Sequence, residues 1–205
     1  MTDSDYSHLL VITDRSGSMA SCAEEMINAL NTYFDEQAKL DGKCLVDYVQ
    51  FDNTYDKVFS DTPVGEARAV LDPRGSTALL DAIGRAVTEF GEKLAALPED
   101  ERPGTVIVPV ITDGYENASQ EWTAAKVKEL VEKQRTEFNW TFTFLGANLD
   151  AVAVGAQYGF AAGDSLTFDV NNTAMASASL SGYTTRTRTG LGGGYTDEDR
   201  QSQGI

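Results

Sequence analysis

Apolar and polar positions along the chain follow two spacings, and these predict strands and helices in turn. Short apolar runs that end at Gly, Ser, Asp or Pro indicate buried strands, while apolar residues repeated every three or four positions indicate helices. The first such run is HLLVIT at 8–13. Helical spacing follows at Cys22, Met26, Ile27, Leu30 and Phe34. The chain is therefore predicted to begin as a strand, a loop and a helix.

The same alternation continues over most of the chain. Further strands are predicted at 44–51, 54–59, 105–112, 140–147 and 165–169, and further helices from Leu79 to Leu94, from Trp122 to Val131 and over 149–159. Only two residues separate 44–51 from 54–59, too few for a crossover connection, so these two strands should pair antiparallel. Pro109 lies inside the run 105–112 and predicts a local irregularity, because proline lacks an amide donor.

Alternating strands and helices indicate crossovers onto a parallel sheet that is covered on both faces. We expect a Rossmann-like, doubly wound α/β fold with a mostly parallel six-stranded sheet and one antiparallel edge strand. Residues 172–189 are rich in Ala, Ser and Thr and predict a weakly amphipathic helix at best. The sequence from Gly190, GLGGGYTDEDRQSQGI, has few apolar residues. We therefore predict one domain over 1–189 and a flexible tail over 190–205.

Composition and charge narrow the classes of partner. The chain has 205 residues, 41% of them apolar, which suffices for one buried core. Its 16 basic and 32 acidic residues give a net charge of −16, which disfavours nucleic acid and membrane surfaces as partners. The start, MTDSDYSH, lacks the features of a signal peptide, so we expect a cytoplasmic protein. Cys22 and Cys44 lack metal-site spacing and are expected to be reduced and buried.

Carboxylates and hydroxyls collect in three loops. The segment DRSGS after the first strand carries Asp14, Ser16 and Ser18, and DGYEN after the strand 105–112 begins with Asp113. A third loop, DPRGST, brings Thr77 to the start of the second long helix. Because the carboxyl ends of parallel strands meet at one edge of a sheet, we expect these five side chains to converge.

Such a group of oxygen ligands is typical of a hard divalent cation. We expect Mg²⁺, with Mn²⁺ or Ca²⁺ as alternatives, and the lack of His or Cys nearby argues against zinc. The single histidine, His8, lies early in its strand and is expected to be structural or solvated. Loop residues that flank the site are candidates for partner contact, with a solvated loop position as the default explanation: Arg74, Ser76, Tyr115, Glu116 and Asn117.

Three motifs together resemble the von Willebrand factor A (VWA) domain. DRSGSM matches its Asp-x-Ser-x-Ser signature, GSTALLDAI is similar to its threonine loop, and VITDGYEN is similar to its second aspartate loop. The resemblance covers about residues 8–170 and implies a metal ion-dependent adhesion site (MIDAS) at Asp14, Ser16, Ser18, Thr77 and Asp113. It also implies that the hydroxyls bind the cation directly, the aspartates often through water, and a partner's carboxylate completes the shell.

The resemblance implies a function of the binding class. FLGANLDAVAVGAQYG is similar to bacterial and phage members, which implies a bacterial protein or a phage protein made in host cytoplasm. Each motif alone is also explained by a helix cap or a turn, but all three in order favour the metal site. We expect a protein-binding module without enzymatic activity, because the loops offer no nucleophile with a base. A Mg²⁺-dependent phosphatase similar to the haloacid dehalogenases, or an assembly or virion component with a bracing metal, are the alternatives.

Overall fold

A six-stranded sheet forms the centre of the protein. The computed structural model describes residues 1–204. The strands are β1 (Asp3–Asp14), β2 (Lys43–Phe51), β3 (Tyr55–Pro63), β4 (Pro103–Thr112), β5 (Thr141–Ala147) and β6 (Ser165–Phe168). Their order in the sheet is β3-β2-β1-β4-β5-β6. Only β3 runs antiparallel to its neighbour among these strands, at one edge, so the predicted mixed sheet is confirmed.

Helices cover both faces of this sheet. They are α1 (Ala23–Ala38), α2 (Leu79–Ala95), α3 (Ala124–Phe138), α4 (Ala151–Gln157), α5 (Thr173–Arg188) and α6 (Asp197–Gln201). Helices α2, α3 and α4 share one apolar cluster with residues from one face of the sheet, and α1 and α5 share a second cluster with residues from the other face. The alternation of side chains along each strand therefore supplies two cores, as a doubly wound fold requires.

Helix α2 illustrates how the apolar spacing produces this packing. Its predicted apolar positions, Leu79, Ile83, Val87, Phe90 and Leu94, are all buried. They lie on one stripe of the helix and face the sheet, while charged residues occupy the opposite side. The stripe fixes the orientation of the helix, and with it the direction of the loop that carries Thr77.

Strand β4 keeps its register past its proline, but its pairing with β1 is interrupted there. The register with β1 is the same on both sides of Pro109, with Leu9 opposite Ile107 and Ile12 opposite Val110. Pro109 itself pairs with Thr143 of β5. The expected local irregularity is present as a gap in the pairing with β1 at Val108 and Pro109, and neighbouring pairs on both sides preserve the register.

The structure also differs from the flexible tail expected over 190–205. Tyr195 is buried, its hydroxyl lies 2.8 Å from Thr143 Oγ1, and its ring lies 4.9 Å from that of Tyr183. Helix α6 begins with a capping box between Thr196 and Asp199, and Asp199 also pairs with Arg186 at 2.8 Å. Residue 205 lies outside the described part. One aromatic anchor and a capped turn dock a segment whose average composition is polar.

Two further observations bear on the predicted character of the chain. Cys22 and Cys44 are both free and buried, as expected. Within residues 1–204, the helices are all too short or too polar to traverse a lipid bilayer.

Candidate metal centre

The three loops predicted to bind metal meet between β1 and β4. At this point the order in which successive strands are added to the sheet changes direction. Strands β1 and β4 are neighbours at the centre, with β2 beyond β1 and β5 beyond β4. The loops after β1 and β4 therefore diverge and leave a crevice at the carboxyl ends of the strands. Asp14 is the last residue of β1, and Asp113 follows the last residue of β4. The loop that precedes α2 brings Thr77 to the same crevice.

Asp14 is fully buried and held by two neutral donors. The Ser16 amide donates to its Oδ1 at 2.6 Å, and the Thr112 hydroxyl donates to its Oδ2 at 2.6 Å. The Thr112 hydroxyl also lies 3.1 Å from both the amide nitrogen and the carbonyl oxygen of Gly114. Thr112 thus ties the Asp14 carboxylate to the loop that carries Asp113.

The serine hydroxyls connect the two aspartates. Ser16 Oγ and Ser18 Oγ lie 3.0 Å apart, and Ser18 Oγ donates to Asp113 Oδ1 at 2.7 Å. Ser16 is buried and Ser18 is exposed, so the row of oxygens runs from the interior to the surface. The two loops therefore present their oxygens as one continuous group.

Thr77 faces the same space from the third loop. The residue as a whole is 3% exposed, but its hydroxyl forms no hydrogen bond within residues 1–204 and stays accessible from the crevice. A Cβ atom added at Gly114 would lie 3.2 Å from Thr77 Oγ1 and 3.9 Å from Asp14 Oδ2. The glycine therefore leaves free volume between a hydroxyl without a partner and a buried carboxylate.

Electrostatics mark this space as one that favours a cation. Burial raises the pKa of Asp14 to about 6, although hydrogen bonds from Thr112 and Ser16 act to lower it. Burial also raises the pKa of Asp113, against a hydrogen bond from Ser18. Neither carboxylate forms an ion pair with a Lys or Arg of the described residues. Two desolvated carboxylates with neutral donors, together with three hydroxyls, suit a hard divalent ion with all-oxygen ligands.

A buried arginine anchors the first loop to the hairpin of β2 and β3. Arg15 donates from Nε to Asp52 Oδ2 at 3.1 Å and from Nη1 to Asp56 Oδ2 at 2.9 Å. The Arg15 side chain points away from the predicted metal site, although the residue lies between Asp14 and Ser16 in the sequence. Arg74 of the third loop donates from Nε to the same Asp52 oxygen at 3.0 Å. Asp52 therefore holds two of the three loops together.

Main-chain contacts reinforce this arrangement. The Ser76 amide donates to Asn53 Oδ1 at 2.7 Å, and the Ala78 amide donates to the Asp52 carbonyl at 3.0 Å. Gly75 has a φ of 68°, and a Cβ atom there would clash with Asn53 Oδ1 at 2.3 Å. A glycine is required at this turn, which sets the height of Thr77 above the sheet.

The loop after Asp113 locks onto Thr77 and the start of α2. Asn117 Oδ1 accepts from the Thr77 amide at 2.9 Å, and the Asn117 amide donates to the Thr77 carbonyl at 3.0 Å. Glu116 Oε2 accepts from the Leu80 amide at 2.9 Å. A carboxylate at a helix N-terminus satisfies donors that have no partner within the helix.

The flanking residues predicted to contact a partner thus fall into two groups. Glu116, Asn117 and Arg74 have internal partners, so their first role in the structure is to hold the loops. Tyr115 is 62% exposed, and Ser76 is exposed at the rim. A role in partner contact stays a prediction for all five residues, and Tyr115 and Ser76 are exposed without a side-chain hydrogen bond in the described part of the chain.

Sequence reasoning missed three residues that shape the site. Thr112 could have been found, because it precedes Asp113 at the end of the most apolar strand. Asp52 and Asn53 gave no signal beyond a two-residue turn, since their partners lie 22 to 37 residues away in the chain.

The fold is that of the VWA domains. Proximal thread matrix protein 1 from the mussel byssus, in a structure with a zinc occupied MIDAS motif, is similar to this chain with a TM-score of 0.60 and 14% identity, over 86% of this chain and 45% of that one. The von Willebrand factor type A protein from Catenulispora acidiphila gives a TM-score of 0.58 and 16% identity, over 86% and 42%. This chain therefore spans less than half the length of these two proteins.

The vWF domain of the type V pili tip protein Mfa5 from Porphyromonas gingivalis is similar over nearly its whole length. The TM-score is 0.62 at 10% identity, over 94% of this chain and 98% of that one. No model of a known protein family matches the sequence, and no curated protein does. The similarity thus lies in the fold, at a level of identity where sequence comparison alone detects nothing.

Proposed function

We propose that this VWA-fold chain is a protein-binding module that captures a carboxylate of its partner through a divalent cation. The observation that carries the proposal is the Thr77 hydroxyl, which has no hydrogen-bond partner within residues 1–204 and faces the crevice beside the desolvated Asp14 carboxylate. The cation would be Mg²⁺, with Mn²⁺ and Ca²⁺ as alternatives. The site would act in the cytoplasm of a bacterium or of a phage-infected cell.

The residues that would hold the ion are Ser16, Ser18 and Thr77, through their hydroxyls, and Asp14 and Asp113, through their carboxylates. When bound, the ion would supply a positive centre for one further oxygen ligand from the partner. The two carboxylates together carry a charge of −2, so a divalent ion leaves no net charge at the rim to repel an Asp or Glu of the partner.

The remaining surface would oppose an acidic partner at longer range. With a net charge of −16, repulsion acts over a Debye length of about 8 Å at physiological salt. Binding should therefore depend on the cation as a local bridge. Tyr115 and Ser76, both exposed at the rim, are the side chains that we assign to contact with the partner.

We propose that the chain is not an enzyme. A phosphatase similar to the haloacid dehalogenases would need an accessible nucleophilic carboxylate, whereas Asp14 is 0% exposed and both of its oxygens accept hydrogen bonds. Ser16 also stands where those enzymes carry a second acid. Turnover of p-nitrophenyl phosphate with Mg²⁺, if it disappeared in Asp14→Asn, would overturn this part of the proposal.

Cation binding is tested by titration of the purified protein with Mn²⁺ in a calorimeter and by thermal melting. Saturation at a hundredfold excess over the dissociation constant should stabilise the native state by about 2.7 kcal/mol. Thr77→Ala should weaken binding while the metal-free protein melts as before. Ser76→Ala is the matched control, because it removes an adjacent hydroxyl outside the ligand set. Equal shifts in both variants would contradict the assignment.

Partner capture is tested in extracts of the native host with the tagged chain, in Mg²⁺ and in chelator. We expect one protein to be retained in Mg²⁺ and lost in chelator and in Thr77→Ala. Substitution of each acidic residue on the contact surface of that protein then locates the bridging carboxylate. Retention in chelator would favour the structural alternative, in which the metal only braces the loops.

A further inference from the structure

A cavity lies between α2 and α3, at the opposite ends of the strands from the predicted metal site. Its volume is about 360 Å³, within the range of small-molecule sites. It lies at the amino ends of β4 and β5. The apolar part of its lining consists of Leu94, Val106, Leu130, Phe138 and Trp140.

On one wall of the cavity, Gly91 of α2 allows side chains of the neighbouring elements to approach the helix closely. Gly91 faces α3, and a Cβ atom there would lie 3.3 Å from Gln134 Nε2 and 3.8 Å from Trp140 Cη2. The position lies in a helix that otherwise buries large apolar residues toward the sheet. At its mouth, the Phe138 ring is 55% exposed, so an aromatic surface is presented to solvent beside the opening.

Two polar groups on the wall have no partner in the protein. Gln134 is 9% exposed and lines the cavity, but its carboxamide forms no hydrogen bond within residues 1–204. The indole N–H of Trp140, which is 7% exposed, also has no partner in that range. Neither group is sealed from solvent, so both are accessible to a ligand in the cavity, and natural small-molecule sites use such polar groups to orient the ligand.

The charged residues on the lining favour an anion. Arg102 and Lys133 contribute two positive charges, against one negative charge from Glu92. Arg102 is held in place, since Nε donates to the Leu97 carbonyl at 2.9 Å and Nη2 to the Ala95 carbonyl at 2.8 Å. Lys133 forms no ion pair in the described part of the chain. A locally positive lining is notable on a chain whose net charge is −16.

We propose that this cavity binds a small amphipathic anion, which combines an aromatic or short acyl body with one carboxylate or sulfonate. The body would lie against Trp140, Leu130 and Val106. The head group would lie toward Lys133 and Arg102, and the Gln134 carboxamide would donate to it. This site is independent of the proposed metal centre, because it lies at the amino ends of the strands and the metal centre lies at their carboxyl ends.

The test uses a matched pair of fluorescent probes with the full chain. The anionic probe is 1-anilinonaphthalene-8-sulfonate, and the neutral probe is N-phenyl-1-naphthylamine. We expect saturable binding of the anion at one site per chain, displaced by decanoate more effectively than by decan-1-ol. Addition of Mg²⁺ should leave the binding of both probes unchanged. Absence of saturable binding, or equal displacement by the acid and the alcohol, would overturn the proposal.

Two variants locate the site. Lys133→Glu should weaken the anionic probe about fivefold and leave the neutral one nearly unchanged, since an exposed charge contributes little more than this. The control Lys126→Glu changes the same charge on α3 outside the lining and should have no effect. Gln134→Leu should lower the preference for the anionic over the neutral probe, with the melting temperature confirming that it folds.

The cavity could alternatively be covered by a second copy of the chain. Sedimentation velocity distinguishes this case. Self-association that is lost in Lys133→Glu, together with probe binding that falls as protein concentration rises, would overturn the small-molecule site in favour of a dimer interface.

Discussion

Two groups of carboxylates lie on the same sheet, each with one buried member, Asp14 or Asp47, and the protein satisfies them in different ways. At the rim, Asp14 and Asp113 receive hydrogen bonds from amides and hydroxyls alone. Away from the rim, both carboxylate oxygens of Asp47 on β2 accept hydrogen bonds from the Lys93 ammonium at 3.0 Å. His8 Nε2 also lies 2.8 Å from Asp47 Oδ1. The first group lacks a cation within the described chain, whereas the second contains one.

The pKa values of Asp47 and Asp14 are shifted in opposite directions, as these different contacts lead one to expect. Burial acts to raise the pKa of Asp47, but hydrogen bonds from His8, the Asp61 amide and Lys93 outweigh it and hold the pKa well below its usual range. Burial of Asp14 is opposed only by neutral donors, so its pKa rises to about 6. The contrast indicates that a buried acid with an internal cation is structural, whereas one with only neutral donors is suited to an external cation.

Judged by residue type alone, the group around Asp47 would be the better candidate for a metal site. Ligand atoms of His8, Asp47 and Asp61 lie within 4.8 Å of one another, and a histidine with two carboxylates is a familiar metal-binding set. Lys93 Nζ, however, lies 2.6 Å from Asp61 and already occupies the space that an ion would take. His8 also lies 2.7 Å from the Tyr6 hydroxyl through Nδ1. We therefore assign this group to stability, in agreement with the structural role expected for His8.

The largest expected effect comes from removing the internal cation. Lys93→Met should destabilise the fold by about 3 kcal/mol, the lower end for breaking a buried ion pair, because Lys93 remains partly exposed. Chemical denaturation measures this effect. The control Lys128→Met, in an exposed pair with Glu132, should change stability by less than about 1 kcal/mol. A similar loss in both variants would remove the distinction between the two groups.

Removing the buried negative charge at the rim should have the opposite effect on the free energy of unfolding. Asp14→Asn should stabilise the metal-free protein at pH 7 by about 1–2 kcal/mol, because it removes a charge whose burial is not compensated. The folded pKa of Asp14 exceeds its ordinary value, so its contribution to stability is present below about pH 4 and is lost as pH rises through about 6. Denaturation at pH 4.5 and 7.5 checks this. A variant less stable than wild type at both pH values would contradict it.

Cation affinity should depend on pH through the same group. Below about pH 6 a proton competes with the ion for Asp14, so affinity for Mn²⁺ should fall about tenfold per pH unit. Calorimetric titrations at pH 5, 6 and 7 measure the slope. Thr77→Ala should bind more weakly with the same slope, since its hydroxyl does not titrate in this range. A flat profile would exclude Asp14 as a ligand.

The smallest effect concerns the protonation of His8. Burial lowers its pKa, against the hydrogen bond to Asp47, and Lys93 lowers it further. Because His8 is the single histidine, its ring signal in a proton NMR titration is unambiguous. We expect its midpoint below 6.5 in the wild type and closer to 6.5 in Lys93→Met. A wild-type midpoint above 6.5 would mean that Asp47 outweighs both burial and Lys93.

Several of these groups could be predicted from local pattern. Apolar spacing identified the strands and helices, and the rule that parallel strands end at one edge placed Asp14 and Asp113 together. Ser16, Ser18 and Thr77 followed because they lie within a few residues of a strand end or helix start. The geometry of such positions is set by the nearest element, so short stretches of sequence suffice.

Other features were decided by contacts between distant parts of the chain. Asp52 joins Arg15 and Arg74 across the edge hairpin, Lys93 of α2 reaches Asp47 of β2, and Tyr195 docks a polar tail onto Thr143. None of these contacts has a periodic signal. The sequence by itself thus determined the order of elements and the group of oxygen-bearing side chains that meet at the rim, since both follow from local burial and strand direction. Tertiary structure decided which buried acid has its own cation and which does not, because ionic contacts depend on distances that only packing establishes.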